Sequence, residues 1–204
     1  MIEYTYYNIE ETSINNRGEI MELVKGRPEN VDGRLDKEVR VYDLLDSLKI
    51  EYERVDHEEA NTMEACNEVD RVLNTIICKN LFLCNRQETQ FYLLMMPGDK
   101  PFKTKDISAQ IDSARLSFGK AEFMEEYLEI KPGAVSVMGL MNDTEKKVQL
   151  LIDRPVIESE YIGCHPCVST SSLKLRTKDV LEKFLPAVKH EALIVDLPYP
   201  EEEM

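Results

Sequence analysis

The stretch IGCHPCVSTSSLKL, residues 162–175, places two cysteines around a histidine and a proline. Cysteines separated by two residues can form a redox dithiol, and cysteine together with histidine can bind zinc. In a third interpretation His165 is the site residue, and Cys164 and Cys167 are ordinary neighbours. A fourth is that the whole stretch is a tight turn. The surrounding sequence has to decide between these four.

The residues around this stretch favour neither cysteine chemistry. A redox pair normally precedes a helix, whose amino terminus lowers the thiol pKa, but VSTSSLKL predicts a loop and a strand. A zinc site needs two further ligands, usually a second close pair. Cys78 and Cys84 are six residues apart, which is not a zinc-ligand spacing. We therefore expect the cysteines to be thiols in a reducing compartment, without a metal.

Lys79 is the second candidate, because it interrupts the apolar run TIICKNLFLC. Alternation along a strand places it on the face opposite Asn80. A lysine in such a strand either points to solvent or faces a pocket, where it can hold a phosphate or a carbonyl oxygen. The residues alone leave both interpretations open.

The third candidate is KPGAVSVMGLMND, in which Gly133 and Gly139 flank a run of small residues. Glycine lets the backbone approach a ligand, and successive amides can bind an oxyanion. A Pro-Gly turn before a strand is also common, so the pattern fits an ordinary turn equally well. No serine-histidine-aspartate order, phosphate loop or dinucleotide fingerprint accompanies it.

Composition limits the partners. The chain has 204 residues, enough for one substantial domain. No apolar run reaches the ~18 residues of a membrane helix, and the acidic start is unlike a signal peptide, which predicts a cytoplasmic protein. The net charge of −14 means that any nucleic acid must meet a local cationic patch. Lys100, Lys103 and Lys105 in GDKPFKTKD are the candidates, although a solvated loop explains the same cluster.

The elements that would position these residues are hairpins mixed with short helices. We predict helices over 39–48, 105–119 and 120–130, and a helix over 178–190 that Thr177 caps. We also predict a hairpin of NTIICKNLFLCN and QFYLLMM, a strand entered from the glycine loop, and strands YERVDH, VQLLID, SSLKL and ALIVDL. Such an order favours an α/β fold of the α+β type, with a mixed, mainly antiparallel sheet. Residues 1–35 lack a clean period and are predicted to be an amino-terminal extension of a domain spanning 36–204.

Taken in order, CKNLFLCN, FYLLMMPGDK, ARLSFG, PGAVSVMGLMND and GCHPCVSTSSLKL resemble the YbaK/ProX family of aminoacyl-tRNA editing domains. Within that family the sequence is most similar to the free-standing PrdX/ProX-type deacylases, which hydrolyse alanine mischarged onto proline tRNA. The resemblance covers 44–197. It implies the fold of the prolyl-tRNA synthetase editing domain, with a barrel-like sheet and surrounding helices.

The resemblance also assigns residues. The family's strand lysine and the following asparagine fall on Lys79 and Asn80, and its histidine before proline falls on His165. The loop written Gly-x-x-x-Pro falls on Gly133, Ala134, Val135, Ser136 and Val137, with Val137 in place of the proline. The family uses water as the nucleophile, with no cofactor. Lys79 would hold the 3′-terminal phosphate or ester, the loop amides would stabilise the oxyanion, and His165 would orient the ribose or the amino acid.

The implied function is trans-editing hydrolysis of mischarged aminoacyl-tRNA, with alanyl-tRNA(Pro) as substrate and no metal or membrane involved. Two other classes compete with it. One is a non-catalytic module that binds aminoacyl-tRNA or a free amino acid. The other is a thiol oxidoreductase using Cys164 and Cys167. The sequence does not define the tRNA specificity or the oligomeric state.

Overall fold

A computed structural model describes residues 12–14, 20–59, 63–75, 77–113 and 115–199. The strands are β1 (Thr12–Ile14), β2 (Ile20–Glu22), β3 (Val24–Lys25), β4 (Tyr52–Asp56), β5 (Lys79–Asn85), β6 (Phe91–Met96), β7 (Leu116–Phe118), β8 (Val148–Asp153), β9 (Tyr161–Cys164), β10 (Ser171–Arg176) and β11 (Ala192–Val195). The α-helices are α1 (Asp36–Ser47), α2 (Met63–Leu73), α3 (Thr104–Ser108), α4 (Ala121–Leu128), α5 (Arg154–Glu158), α6 (Thr177–Asp179) and α7 (Leu185–Ala187), with a 3-10 helix at Val137–Met141 and a π-helical segment at Val180–Phe184. No helix in these ranges has the length and apolarity that crossing a membrane requires.

The strands form two larger sheets and a small hairpin of β1 and β2. One sheet has the order β3-β4-β10-β9, and the other has the order β11-β8-β6-β5-β7. Neighbouring strands are antiparallel except that β8 runs parallel to both β6 and β11. The predicted mixed, mainly antiparallel arrangement is therefore confirmed, as is the predicted hairpin of β5 and β6.

The core lies on both faces of the five-stranded sheet. In β6, Phe91, Leu93 and Met95 pack into the main core, while Leu94 and Met96 pack into a second apolar cluster on the other face. A strand covered on both faces is apolar at every position, which accounts for the unbroken run FYLLMM.

The two larger sheets meet where β9 passes the start of β5. The amide of Cys78 donates to the carbonyl of Gly163 at 2.9 Å, and Ile77 forms a parallel bridge with Gly163. We call this contact the sheet junction. Because the pairing is parallel, moving two residues along each chain leads from Ile77 to Lys79 and from Gly163 to His165. Lys79 and His165, the two residues proposed for catalysis, therefore each lie two residues beyond this junction, on adjacent segments of the same chain.

The predicted helix over 105–119 is wrong beyond Ser108. Residues 116–118 form β7, which pairs antiparallel with β5. Gly119 follows a strand and does not end a helix. A Cβ at Gly119 would lie 2.5 Å from the ring of Phe82, so the missing side chain permits close contact there. Residues 116–118 are extended because they pair with the edge of β5, and this pairing is not visible in the local spacing of apolar residues.

The predicted strand after the glycine loop is also wrong. Residues 137–141 form a 3-10 helix that begins after Ser136, whose hydroxyl accepts from the amide of Met138 at 3.2 Å. Periodicity alone cannot distinguish a short buried helix from a buried strand. Ser136 is the local signal that favours the helix, because a serine hydroxyl satisfies a free amide of the first turn.

Part of the predicted extension joins the sheet. Strand β3 pairs with β4, and Met21 is buried in a small cluster with Val55 and Val69. The predicted helix after Thr177 is present, with Val180 and Phe184 buried. Thr177 is its first residue and not its cap, and the buried Thr177 hydroxyl has no hydrogen-bond partner among the described residues. The boundary at residue 35 stays a prediction.

Candidate active site

Lys79 is held at the first residue of β5 by the loop that follows β6. Its Nζ donates to the backbone carbonyl of Lys100 at 2.8 Å, and the side chain is partly exposed. A lysine ammonium has three N–H donors. Among the described residues the other two have no acceptor, so the charged group is positioned and still free to bind an anion.

Lys100 does not contribute to a cationic surface, contrary to the expectation from GDKPFKTKD. Its side chain is 1% exposed, and its Nζ lies 2.7 Å from Asp153 Oδ2. The ring of Tyr199 covers the same ammonium at 4.2 Å. A phosphate has no access to a cation that is buried and ion-paired. The role of Lys100 is structural, because its loop carries the carbonyl that holds Lys79.

Asn80 faces the opposite side of the sheet from Lys79, as alternation requires. Its amide nitrogen donates to the carbonyl of Cys78 at 2.9 Å. Its Oδ1 is buried and has no hydrogen-bond partner among the described residues. An unsatisfied buried acceptor is costly unless a ligand donor meets it. Asn80 therefore offers an acceptor for an N–H or O–H group of a substrate.

The loop Gly133–Val137 presents a run of amides. Gly133 has a φ of +92°, in the region that favours glycine, and Ala134 donates its amide to the carbonyl of Lys131 at 3.1 Å. The amides of Gly133, Val135 and Ser136 have no acceptor within the described part of the chain. Amides left free by the fold can bind an oxyanion.

Val137, where the family has proline, is the first residue of the 3-10 helix. Proline is favoured at this position because its fixed φ suits a helix start and no amide donor is needed there. Ser136 supplies the cap without it, and Val137 is completely buried. The loop therefore keeps its helical anchor despite the departure from the family pattern.

Cys164 and Cys167 are completely buried. Burial raises the pKa of both thiols, to about 12 for Cys167. The nearby Ser136 opposes part of the rise in the Cys164 pKa. A thiol that stays protonated is a poor nucleophile and a poor metal ligand. Within the described ranges there is also no group of three or more histidine, cysteine or acidic side chains that could hold a metal.

His165 follows β9 and is partly exposed. Its Nδ1 lies 2.9 Å from the backbone carbonyl of Ser171. Burial lowers the pKa of His165, the carbonyl contact opposes this, and the nearby His57 lowers the pKa further. The imidazole is thus neutral at pH 7.

Sequence reasoning missed His57 and Ser172. His57 Nε2 lies 2.8 Å from Ser172 Oγ, and that oxygen lies 3.3 Å from His165 Nδ1. His57 ends the strand YERVDH, and Ser172 belongs to the hydroxyl run after the cysteines. The signal available was that these two segments could pair, as β4 and β10 do.

A cationic groove of about 830 Å³ lies around α3 and β7. Its basic side chains are Lys103, Lys105 and Arg115, and its acidic one is Asp112. None of the three cations has an ion-pair partner among the described residues. Ser113, which also lines the groove, has a buried hydroxyl with no hydrogen-bond partner there. Arg115 was missed because it is ten residues from Lys105, and only the turn into β7 brings the two together.

Comparison with known proteins identifies the family to which the sequence is related. Residues 57–183 match the model of the aminoacyl-tRNA editing domain. The chain is 31% identical to the prolyl-tRNA editing protein ProX of Acetoanaerobium sticklandii, over 75% of this chain and 93% of that protein. It is 25% identical to prolyl-tRNA synthetase associated domain-containing protein 1 of Danio rerio, over 88% of this chain and 98% of that protein.

Solved structures show the same fold. A crystal structure of a candidate trans-editing enzyme for prolyl tRNA synthetase superposes with a TM-score of 0.60 at 11% identity, covering 80% of this chain and 99% of that one. The matched range contains Lys79, the glycine loop and His165. The chain belongs to the aminoacyl-tRNA editing domain family.

Proposed function

We propose that the protein is a trans-editing deacylase that hydrolyses alanyl-tRNA(Pro) in the cytoplasm, with residues 36–204 as its catalytic domain. One observation carries the proposal. The segments that carry Lys79, with its free donors, and the neutral His165 pair at the sheet junction. The loop with free amides packs in the same core as the buried thiol of Cys164, which does not supply a nucleophile. The thiols are protonated and the lysine is charged, so we infer that this set positions and polarises the ester and that water is the nucleophile.

Each residue has a distinct role in this mechanism. Lys79 holds the 3′-terminal phosphate or the ester through the two donors that Lys100 leaves free. As water adds to the ester carbonyl, the free amides of Gly133, Val135 and Ser136 stabilise the negative charge that develops on its oxygen. The C–O bond to the ribose then breaks, and the ribose oxygen leaves as a hydroxyl with the proton that the water gives up. These amides are fixed before the reaction, so little reorganisation is needed.

The remaining two residues orient the substrate. Asn80 Oδ1 lies on the face of β5 against which the glycine loop packs, and there it accepts a hydrogen bond from the α-ammonium group of the amino acid, which satisfies an otherwise unpaired buried atom. Lys79, on the other face, reaches the terminal phosphate past the start of the strand. His165 accepts a hydrogen bond from a ribose hydroxyl, which fixes the terminal adenosine relative to the loop. Positioning an already activated ester in this way is a large part of what its hydrolysis requires.

A panel of charged tRNAs tests the proposal. Purified protein is incubated with alanyl-tRNA(Pro), prolyl-tRNA(Pro) and alanyl-tRNA(Ala), and release of the amino acid is followed. We expect rapid hydrolysis of alanyl-tRNA(Pro) and little loss of prolyl-tRNA(Pro). Binding without hydrolysis of any of them would instead identify a non-catalytic aminoacyl-tRNA module.

A further inference from the structure

Behind His165 lies a hydrogen-bonded chain that the deacylation steps above do not use. It links His57 to Ser172 and Ser172 to His165, and the two imidazole rings lie 6.2 Å apart. Ser172 is completely buried in the middle. Three polar side chains from β10 and the ends of β4 and β9 therefore form one connected unit at the side of the sheet junction.

The protons of this chain can be placed from its acceptors. His57 Nδ1 lies 2.7 Å from the backbone carbonyl of Glu58, and a carbonyl can only accept, so Nδ1 carries the proton. Neutral His57 then has an unprotonated Nε2, which accepts the hydroxyl proton of Ser172 at 2.8 Å.

The direction of the Ser172 hydroxyl determines what His165 can do. Because that hydroxyl donates to His57, its oxygen can only accept from His165 Nδ1. The carbonyl of Ser171 accepts from the same nitrogen at 2.9 Å. Two acceptors thus face Nδ1 of His165, which fixes the proton there. In the neutral His165 ring Nε2 is then an acceptor, and no described residue donates a hydrogen bond to it.

Burial keeps both rings neutral, which the chain requires. Desolvation lowers the pKa of His57, opposed by the Glu58 carbonyl and by the charge of Asp56. Desolvation and His57 itself lower the pKa of His165. A proton on Nε2 of His57 would remove the acceptor that holds the Ser172 hydroxyl.

We propose that His57 and Ser172 are positioning residues that lock His165 in the Nδ1–H tautomer, with Nε2 presented as an acceptor for a hydroxyl of the substrate. This rests on the proposed role of His165 in deacylation. In the other tautomer Nε2 would be a donor and could not accept from a ribose hydroxyl. A partner that fixes one ring nitrogen sets the function of the other.

Two substitutions at His57 separate positioning from simple packing. His57→Gln keeps an acceptor within reach of Ser172, whereas His57→Leu fills space without one. For alanyl-tRNA(Pro), we expect kcat of the leucine variant to fall roughly 10-fold with little change in KM, the effect of losing about one hydrogen bond. The glutamine variant should keep most of kcat. Thermal unfolding of both variants checks that they are folded.

A spectroscopic measurement tests the same chain without tRNA. The protein has only three histidines, so long-range ¹H–¹⁵N correlation spectra resolve each ring. We expect His165 to show a protonated Nδ1 and an unprotonated Nε2 in the wild type and in His57→Gln. In His57→Leu the Ser172 hydroxyl is free to turn and donate to His165 Nδ1, in competition with the Ser171 carbonyl that accepts from it. The His165 signals should then move toward a tautomer mixture, and an unchanged Nδ1–H pattern would show that the carbonyl alone fixes the ring.

The outcomes separate this proposal from the deacylase proposal. A mixed or Nε2–H His165 in the wild type overturns the positioning role, whatever the activity. Equal loss of kcat in both variants, or no change in either, overturns it as well. If no charged tRNA is hydrolysed but the tautomer pattern appears and responds to His57→Leu, the positioning of His165 stands and the deacylase proposal fails.

Discussion

At the scale of single residues, the site depends on which polar groups the fold leaves unpaired. Lys79 is anchored through one of its three donors, and Asn80 keeps a buried acceptor without a partner. Nearby thiols are protonated because burial raises their pKa. The arrangement provides charge and hydrogen bonds at fixed positions but no nucleophile.

Replacing Lys79 distinguishes its charge from its anchoring bond. Lys79→Ala removes both, while Lys79→Gln can still donate to the Lys100 carbonyl. If the charge acts on the substrate, both variants should lose about 100-fold in kcat/KM for alanyl-tRNA(Pro), a few kcal/mol of transition-state stabilisation. The exposed Lys178→Ala is the control and should retain wild-type rates. Full activity in Lys79→Gln would mean that Lys79 only anchors the loop.

The buried thiols should be dispensable for chemistry. Cys164→Ser with Cys167→Ser should keep substantial hydrolysis, although each buried hydroxyl without a good partner costs about 1–3 kcal/mol of unfolding free energy. In the native protein both thiols should resist alkylation at pH 8, because their pKa values are raised. Mass spectrometry after iodoacetamide treatment measures this. Rapid labelling, or activity lost in a folded double variant, would restore a cysteine mechanism.

At the scale of elements, the 3-10 helix 137–141 fixes the glycine loop. Ser136 caps this helix at one end, and Gly139 packs against Leu128, the last residue of α4, and against Ile130. The amides proposed for the oxyanion belong to the segment just before the cap. Their positions therefore depend on how closely the helix approaches α4.

Gly139→Ala tests this dependence. An added Cβ would lie 2.4 Å from Ile130 Cδ1 and 3.1 Å from Leu128 Cβ. Overpacking of this kind costs about 1–3 kcal/mol, and relief requires the helix to move. We expect a lower midpoint in urea and a lower kcat. The exposed Lys178→Ala is again the control and should leave both the urea midpoint and kcat unchanged; unchanged stability in Gly139→Ala would show that the contact is loose.

At the scale of the molecule, a chain of charge −14 must bind a polyanion through a local surface. Many of its basic side chains are ion-paired, for example Arg27, Arg34 and Arg154. Among the residues that the structure describes, those of the cationic groove have no such partner. We propose that the groove holds the acceptor stem, reached from Lys79 through the loop that carries Lys100.

Salt dependence tests the groove. Replacing Lys103, Lys105 and Arg115 with Gln should weaken tRNA binding. It should also reduce the slope of log Kd against log salt by roughly one unit for each lost phosphate contact. The rate at saturating tRNA should change little, because these residues lie away from the ester. The control variant replaces the exposed Lys49, Lys146 and Lys189 with Gln, so its net charge equals that of the groove variant. Equal slopes in the two variants would identify the cluster as a solvated loop.

The sequence by itself determined the family, the hairpin of β5 and β6, and the candidates Lys79 and His165. Strand alternation and local motif spacing are short-range properties, so they can be read along the chain. Long-range pairing overrode local preference at 105–119, where the edge of β5 draws Leu116–Phe118 into the sheet.

Only the tertiary structure decided which candidates share a site. Lys100 looked equivalent to Lys103 in sequence, but the fold buries it in an ion pair with Asp153, fifty-three residues away. His57 and Ser172 meet His165 only because β4 pairs with β10 and β10 with β9. Burial, ion pairing and proton positions depend on groups distant in the chain, and no local pattern encodes those distances.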